Sequence, residues 1–402
     1  MPVNNNPDVI IVGGGPAGLT AAIALASGDV STLLIGDRPS SDDNRTTALL
    51  AGSVVALQAL QVWPLCSGHA APLRVMRIVD DTGRLLRAPE VKFEAGEIGL
   101  EAFGDNIENR HLLDALTRRA EQLSSLAIRR ERVEDISGDA EAASVVFPGG
   151  ERVATRLIIG ADGRKSRCRK AAGIAVDTRS YPQTALTVTF AHSRPHHDTS
   201  TEFHTPSGPF TIVPLPGARS SLVWVMTPAD VEEMNRLGDD DLSLEIERRA
   251  HSILGKIKLE PGRGIFPLSG MQAQRMGARR IALVGEAAHV MPPIGAQGLN
   301  LGLRDAAAIG ELVVDAIRGG LDPGSDKVLG DYDRARRADV GSRTLAVDWL
   351  NRSLLTDFLP AQASRGVGLY LLDRIAPLRR AVMREGVAPG TAQPRLMRGE
   401  VL

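Results

Sequence analysis

The chain has 402 residues, 43% hydrophobic and 24% charged, which is typical of a globular protein large enough for two or three domains. Its formal net charge of -1 gives no positive field for phosphates and excludes a general nucleic-acid binder. Two distant cysteines, no apolar run of membrane-spanning length and no basic segment before the first apolar run predict a cytoplasmic protein without a disulfide or zinc framework.

A buried strand is predicted over residues 8–12 and an apolar helix over 19–26, with a GxGxxG turn between them. The first glycine permits a tight turn, the second lets the backbone approach a pyrophosphate, and the third lets the helix pack on the strand. The helix N-terminus then offers free N–H groups to phosphates. The candidate binding residues here are Gly13, Gly15, Pro16, Ala17 and Gly18.

A second strand is predicted over 32–35, and an acid near its end should contact a ribose. That acid is Asp37, one position later than usual, so it is either a ribose ligand or a turn residue before Pro39. Arg45 precedes a helix predicted over 48–60 and either guides a phosphate or cofactor edge or lies on a solvated loop.

Arg110 stands at the start of a helix predicted over 112–123. A cation is unfavourable at that end of the macrodipole, so Arg110 either faces an anionic ligand or is simply solvated. A strand predicted over 152–159 then leads into GADGRKSRCR at 160–169, which contains Asp162.

The stretch 281–305 combines a strand, a carboxylate, a rigid loop and the start of a long helix. The proline pair excludes helix in the loop, and the helix predicted over 301–317 exposes its N-terminus toward it. These features indicate a nucleotide cradle. Its candidate residues are Gly285, Glu286, Pro292, Pro293, Gly295, Gly298, Leu299 and Asn300.

Two titratable side chains lie near these motifs. His289 is either a group able to move a proton or a histidine that only shapes the loop by hydrogen bonding. Cys168, between Arg167 and Arg169, could have a lowered thiol pKa, although nothing else marks it as reactive.

Between 181 and 251 the composition changes, and alternating residues predict an inserted antiparallel sheet that covers the cradle. Its strands are predicted over 184–190, 210–215 and 221–226, and helix over 228–254 with a turn near 238–241. Trp224 and Phe210 either line a substrate pocket or belong to the core. The histidines at 192, 196, 197 and 204 lack metal-ligand spacing, so no metal is expected.

The motifs at 13–18, 160–169 and 281–305 together resemble the three fingerprints of FAD-dependent aromatic hydroxylases, the class A flavoprotein monooxygenases. PPIGAQGLNLGLRD at 292–305 most resembles the ubiquinone-biosynthesis hydroxylases of that family. So do the segments 202–203, 208–210, 214–215, 220–224, 368–374 and 377–379. The resemblance covers nearly the whole chain.

This resemblance implies an α/β fold of the FAD-binding, Rossmann-like (GR2, aromatic-hydroxylase) type with an inserted antiparallel β-sheet domain. The implied divisions are 1–178 for the first FAD-binding part (with excursions into the substrate lobe near 72–104), 179–265 for the substrate domain, 266–340 for the second FAD-binding part, and 341–402 for a C-terminal helical region.

By the same resemblance, Asp162 helps to place the flavin and the approach of the reductant, and Glu286 binds the ribityl chain where the family usually has Asp. The backbone of Gly298, Leu299 and Asn300 would meet the pyrimidine edge, and Pro292 and Pro293 would wall the ring. The implied reaction is hydroxylation of a polyprenyl-phenol precursor of ubiquinone by O2 through a flavin hydroperoxide. The alternatives are hydroxylation of a soluble phenol and a non-catalytic subunit of a biosynthetic complex.

No second GxGxxG follows a strand, so a nicotinamide would bind only transiently; the expected electron donor is NAD(P)H or, alternatively, a ferredoxin-type protein. Residues 361–402 carry seven arginines and three acids among apolar residues such as Val367 and Leu369. This tail either makes a peripheral contact with the inner face of the membrane or with a partner of a ubiquinone-biosynthesis complex, or packs on the FAD-binding domain with its arginines solvated. Members of this family often self-associate, so the resemblance also implies that a homo-oligomer is possible.

Overall fold

The computed structural model describes residues 6–37, 43, 45–83, 88–293, 295–355, 368, 370–387 and 393–402, with the backbone alone at 346–355 and 387. Its central six-stranded sheet has five parallel strands and one antiparallel edge strand. In spatial order they are β19 (Gly277–Ala278), β20 (Ile281–Leu283), β12 (Leu157–Gly160), β1 (Val9–Val12), β2 (Thr32–Ile35) and β8 (Leu126–Arg129).

Helices cover this sheet and form one apolar core with it. They include α1 (Pro16–Ser27), α3 (Asn109–Glu121), α4 (Arg167–Ala171) and α7 (Gln297–Arg318). Gly302 lets α7 lie close both to α1 and to the turn at Gly285, because a Cβ at Gly302 would lie 3.5 Å from the Cβ of Ala17 and 3.2 Å from the Cα of Gly285. The predicted strand–turn–helix order around GxGxxG is confirmed, because β1 ends at Val12 and α1 begins at Pro16.

Two small sheets flank the central one. They contain β11 (Arg152–Thr155), β10 (Ala143–Val146) and β9 (Asp135–Gly138), and β3 (Thr46–Leu50), β7 (Gly104–Glu108) and β4 (Ala70–Pro72). The predicted helix over 48–60 is wrong at its start: β3 continues to Leu50, and only α2 (Ala51–Ala59) is helical. The reason is non-local, since β3 pairs with β7 and its last N–H donates to Asn300.

A predicted single strand over 152–159 is likewise two strands in different sheets, β11 and β12, separated at Arg156. The N–H of Arg156 donates to the carbonyl of Asp8. This bond ties the break between the two strands to the residue that precedes β1.

The inserted sheet has nine strands, antiparallel except for one pair. They are β21 (His289–Val290), β18 (Gly264–Ala273), β13 (Val176–His192), β16 (Arg219–Met226), β15 (Gly208–Leu215), β14 (Thr199–Thr205), β5 (Val75–Asp80), β6 (Val91–Glu94) and β17 (Ile257–Leu259). The helices α5 (Pro228–Arg236) and α6 (Asp239–Arg249) share an apolar core with one face of it.

The C-terminal part contains α8 (Asp326–Leu355), α9 (Ala376–Val387) and a short helical turn at Arg395–Arg398. Leu396, Met397 and Leu402 join the main core, so the end of the chain is built into the FAD-binding side. The domain boundaries at 178, 265 and 340 stay a prediction. Among the described residues, no helix has the length and apolarity needed to cross a bilayer.

Candidate active site

The glycine turn brings the chain between β1 and α1 against the second fingerprint. Gly13 has a φ of 123°, and a Cβ there would lie 2.2 Å from the carbonyl oxygen of Ala161. A Cβ at Gly18 would lie 2.0 Å from the carbonyl oxygen of Gly13, so both positions require glycine for packing. Gly15 instead has open space around it, as the approach of a ligand would require.

Asp162 caps the helix of the second fingerprint. Its Oδ2 accepts hydrogen bonds from the N–H groups of Arg167 (2.7 Å) and Cys168 (3.1 Å). Its Oδ1 is buried and has no hydrogen-bond partner among the described residues. The predicted lowering of the Cys168 pKa is wrong, because burial and the neighbouring Asp162 raise the pKa of this thiol well above its usual range.

The carboxylate of Glu286 projects into a cavity from the helical turn Gly285–Ala287, directly after β20. It is exposed and makes no hydrogen bond or ion pair with any residue that the structure describes. The loop that carries Glu286 is held by α7, since the N–H of Gly285 donates to the carboxylate of Asp305 (3.0 Å).

His289 helps to hold this loop in place. Its Nε2 lies 2.6 Å from Oδ2 of Asp305, and both residues are buried. Arg336 donates to the other oxygen of Asp305 at 2.7 Å. Burial raises the pKa of Asp305, but His289 and Arg336 outweigh it and hold this pKa below its usual value. The geometry favours the interpretation of His289 as a loop-shaping residue.

The start of α7 is held by an unusual turn. Gly295 and Ala296 both have positive φ (65° and 54°), which reverses the chain into the helix. The side chain of Asn300 accepts from Leu50 N–H and the Ser53 hydroxyl and donates to the carbonyls of Ala48 and Ala296. A Cβ at Gly298 would meet no atom within 4 Å, so the first turn of α7 is open on that side.

Three predicted ligands lie outside the glycine turn and this loop. Two nitrogens of Arg45 donate hydrogen bonds to the Asp43 carboxylate (2.8 and 2.7 Å), which raises the pKa of Arg45. Its guanidinium carbon also lies 5.5 Å from the centroid of the Phe266 ring. Asp37 is exposed after β2, while its alternative turn partners at 38–39 fall outside the described residues. Arg110 forms an ion pair with Glu108 (2.8 Å) at the start of α3.

A cavity of about 420 Å³ lies between the loop of the third fingerprint and the inserted sheet. Its loop side includes Glu286, Pro292 and Pro293, and its sheet side includes Thr187 and Val223. Arg45, Phe266, Arg164, Thr46, Ser221 and Met291 complete much of the wall. The Thr46 and Ser221 hydroxyls are 2.9 Å apart and link β3 to the inserted sheet.

Of the two alternatives for Trp224 and Phe210, the structure supports the core, and neither side chain lines this cavity. They pair across β15 and β16, with ring centroids 5.1 Å apart, and pack in the core that also contains Val231 of α5 and Ile246 of α6. Successive side chains of a strand point to opposite faces, so Val223 faces the cavity and Trp224 the helices.

Sequence reasoning missed the cavity residues Thr187, Val223 and Phe266 and the buried pair of His289 with Asp305. The strand alternation was visible, but the sequence carried no signal for which of two buried faces meets the cofactor. The partner of His289 lies 16 residues away and had no recognisable pattern.

The residues present fit an FAD molecule. Gly15 leaves room for a close approach. Among the residues that the structure describes, Glu286 makes no hydrogen bond or ion pair, Oδ1 of Asp162 has no partner, and the N–H groups in the first turn of α7 are not bonded within the helix. These are acceptors and donors suited to hydroxyl, amide and phosphate groups. The contacts of each predicted ligand with FAD stay predictions.

A known family model, described as an FAD binding domain, matches residues 6–346. The chain therefore belongs to this family of FAD-binding proteins, and FAD as cofactor and the α/β aromatic-hydroxylase fold are confirmed. It is 36% identical to the ubiquinone hydroxylase UbiL of Rhodospirillum rubrum over 98% of this chain and 92% of that protein. It is also 29% identical to the 3-demethoxyubiquinol 3-hydroxylase of Escherichia coli, over 95% and 98%.

Solved structures share the fold at lower identity. The p-nitrophenol 4-monooxygenase PnpA of Pseudomonas putida superposes with a TM-score of 0.77 at 18% identity, covering 94% of this chain and 97% of that one. HpxO of Klebsiella pneumoniae, in complex with FAD, gives 0.75 at 18% identity, covering 96% and 99%. These structures show the fold, whereas the family model and the relatives of high coverage confirm the resemblance to FAD-dependent hydroxylases of ubiquinone biosynthesis.

Proposed function

We propose that the chain is an FAD-dependent monooxygenase that hydroxylates the aromatic ring of a polyprenyl-phenol precursor of ubiquinone with O2. The observation that carries this proposal is the cavity between the loop with Glu286 and Pro292 and the strands with Thr187 and Val223. It provides a space of the size of an aromatic ring beside the loop where we expect the flavin to bind. The names of relatives that align over nearly the whole chain support the substrate class.

FAD, when bound, supplies the oxygen-activating redox chemistry. The carboxylate of Glu286 would accept hydrogen bonds from ribityl hydroxyls, and the N–H groups in the first turn of α7 would favour negative charge on the pyrimidine edge. Pro292 and Pro293 form a rigid wall. The hydroxyls of Thr187 and Ser221 orient the substrate ring, and the mostly apolar sheet face excludes water.

The test is a reaction of purified holoprotein with a short-chain prenyl phenol under ¹⁸O2, supplied with NADPH, NADH or a reduced ferredoxin in separate arms. We expect one ¹⁸O atom in a new hydroxyl group on the ring of the product, and the arm that yields this product identifies the electron donor. Turnover of simple soluble phenols alone would favour the alternative substrate. A purified protein that binds no flavin would leave only the non-catalytic subunit.

We also propose that the protein works in the cytoplasm at the inner face of the membrane. A polyprenylated substrate supports this, as does an apolar row at Leu371, Ile375, Leu378 and Val382, spaced by four, three and four residues. Arg379, Arg395 and Arg398 of the tail are instead paired with Glu97, Asp315 and Glu400. The earlier tail residues Val367 and Leu369 lie outside the described residues.

Vesicle flotation of the full-length protein tests this contact. Leu378→Glu should reduce flotation, and Leu244→Glu, at an exposed leucine of α6, serves as its control. Equal flotation of both variants and the parent protein would remove the apolar row as the contact. A complex with other biosynthetic proteins and self-association remain proposals, to be checked by affinity isolation and by light scattering.

A further inference from the structure

Helix α8 lies outside the three fingerprints, yet its side chains reach both ends of the loop that carries Glu286 and the proline pair. One arm runs through Arg336, which donates to Asp305 at 2.7 Å. Asp305 in turn holds the N–H of Gly285 and the ring of His289. The first end of the loop is therefore attached to α8.

The second arm runs through Arg343 to the other end. The Nη1 of Arg343 donates to Oε1 of Gln297 at 2.7 Å. The amide of Gln297 then donates from its Nε2 to the carbonyl oxygen of Gly295 at 2.9 Å. Gly295 and Ala296 form the positive-φ turn that starts α7, so this relay stabilises a backbone that would otherwise be unfavourable for Ala296.

Asp339 joins the two arms. Its carboxylate accepts from Arg336 (2.7 Å) and Arg343 (2.9 Å) on its own helix and from Arg304 (2.7 Å) of α7. These side chains are almost fully buried, and Arg343 retains only 10% exposure. The Asp339 carboxylate restricts the orientation of the Arg343 guanidinium, which reaches Oε1 of Gln297 at 2.7 Å and the carbonyl oxygens of Glu385 and Gly386 in α9 at 3.4 Å each, so Gln297 is its shortest contact outside α8.

We propose that Arg343 is a positioning residue for FAD, which acts through Gln297 to fix the first turn of α7. Arg343 need not touch the cofactor: it sets the direction of the Gln297 amide and thereby the Gly295–Ala296 turn, which orients the free N–H groups of the helix. The inference rests on the proposed placement of the flavin at this helix start.

FAD titration into the apoprotein, followed by flavin fluorescence, tests the relay. Replacement of Arg343 by Met removes a charge-assisted hydrogen bond and should weaken FAD binding about tenfold. R337M on the same helix is the matched control, because Arg337 bonds to Gln274 and Asp333, away from the loop. R337M should bind FAD as the parent does.

A double-mutant cycle separates the relay from general destabilisation. Q297M alone should also weaken FAD about tenfold, and R343M/Q297M should remain near tenfold, because both changes break one chain of contacts. A hundredfold loss in the double variant, unchanged affinity in Q297M, or an equal loss in R337M would overturn the inference. If R343M does not fold, Q297M against R337M still decides it. A parent protein that binds no FAD would instead refute the proposed function.

Discussion

Replacement of Glu286 by Ala is the sharpest test of where the flavin binds. The Glu286 carboxylate is exposed to the cavity and bonds to no described residue, so its removal should change the free energy of unfolding of the apoprotein by less than about 0.5 kcal/mol. A charge-assisted hydrogen bond contributes about 1.5–3 kcal/mol. With at least one such bond to a ribityl hydroxyl, E286A should bind FAD about 10- to 100-fold more weakly.

The assay is calorimetric titration of apoprotein with FAD, beside thermal unfolding of each apoprotein. Glu286→Asp restores the carboxylate that the family usually has and should retain FAD at least as well as the parent. Glu233→Ala removes an exposed carboxylate of α5 and controls for the change in net charge. If E286A binds FAD as tightly as the parent does, the flavin does not lie along this loop.

Other predictions concern packing, pH and the pocket. Gly13→Ala should destabilise the apoprotein by about 2–6 kcal/mol, because its Cβ meets a carbonyl 2.2 Å away at a φ of 123°. Gly15→Ala should cost at most about 1 kcal/mol of stability but weaken FAD binding; denaturant unfolding and titration separate these effects. Burial raises the pKa of Asp339, but Arg336 and Arg304 outweigh it and hold that pKa below its unfolded value. Its stabilisation is therefore present above a pH of about 4 and lost below it, and Asp339→Asn should flatten the acid slope of the unfolding free energy by up to about 1.4 kcal/mol per pH unit. Phe210→Leu should lower stability by about 1–3 kcal/mol without changing KM, whereas Val223→Phe should raise KM; the reverse pattern would restore Phe210 to the pocket.

The parts of the fold that were predictable depend on local chemistry. The strand at Val9–Val12, the turn at Gly13 and the strand at Thr32–Ile35 follow from apolar runs and from backbone geometry that glycine alone satisfies. Residues 48–50 were mispredicted as helix because their helix propensity is overridden by pairing with β7 and by the side chain of Asn300, 250 residues from Leu50. Tertiary partners of that kind leave no periodic pattern.

The pocket was less predictable than the cofactor site for a different reason. In the inserted sheet both faces are covered, one by α5 and α6 and the other by the cavity and the FAD-binding side, so alternation cannot assign Val223 and Trp224 to their faces. The aromatic residue was the more attractive pocket candidate, yet its size suits the core between sheet and helices. In the fingerprints, backbone packing requires glycine at Gly13 and Gly18, and the proposed ligand requires Gly15 and Glu286, so each position admits few residue types and the motif is recognisable in the sequence.

The contrast between Glu286 and the other acids near the site gives the strongest internal argument for a ligand there. Asp43 is paired with Arg45, Asp305 with His289 and Arg336, and Asp339 with three arginines. Glu286, alone among these four, makes no hydrogen bond or ion pair with a described residue, although its charge adds to the effect of Asp43 that raises the pKa of Arg45. It lies on a loop that the buried Asp305 holds rigidly. A rigid support for an unpaired carboxylate does nothing for the apoprotein, because a mobile surface loop would solvate the charge equally well. The support is explained if the carboxylate must meet hydroxyl donors at a fixed place, and the ribityl chain of FAD presents such donors.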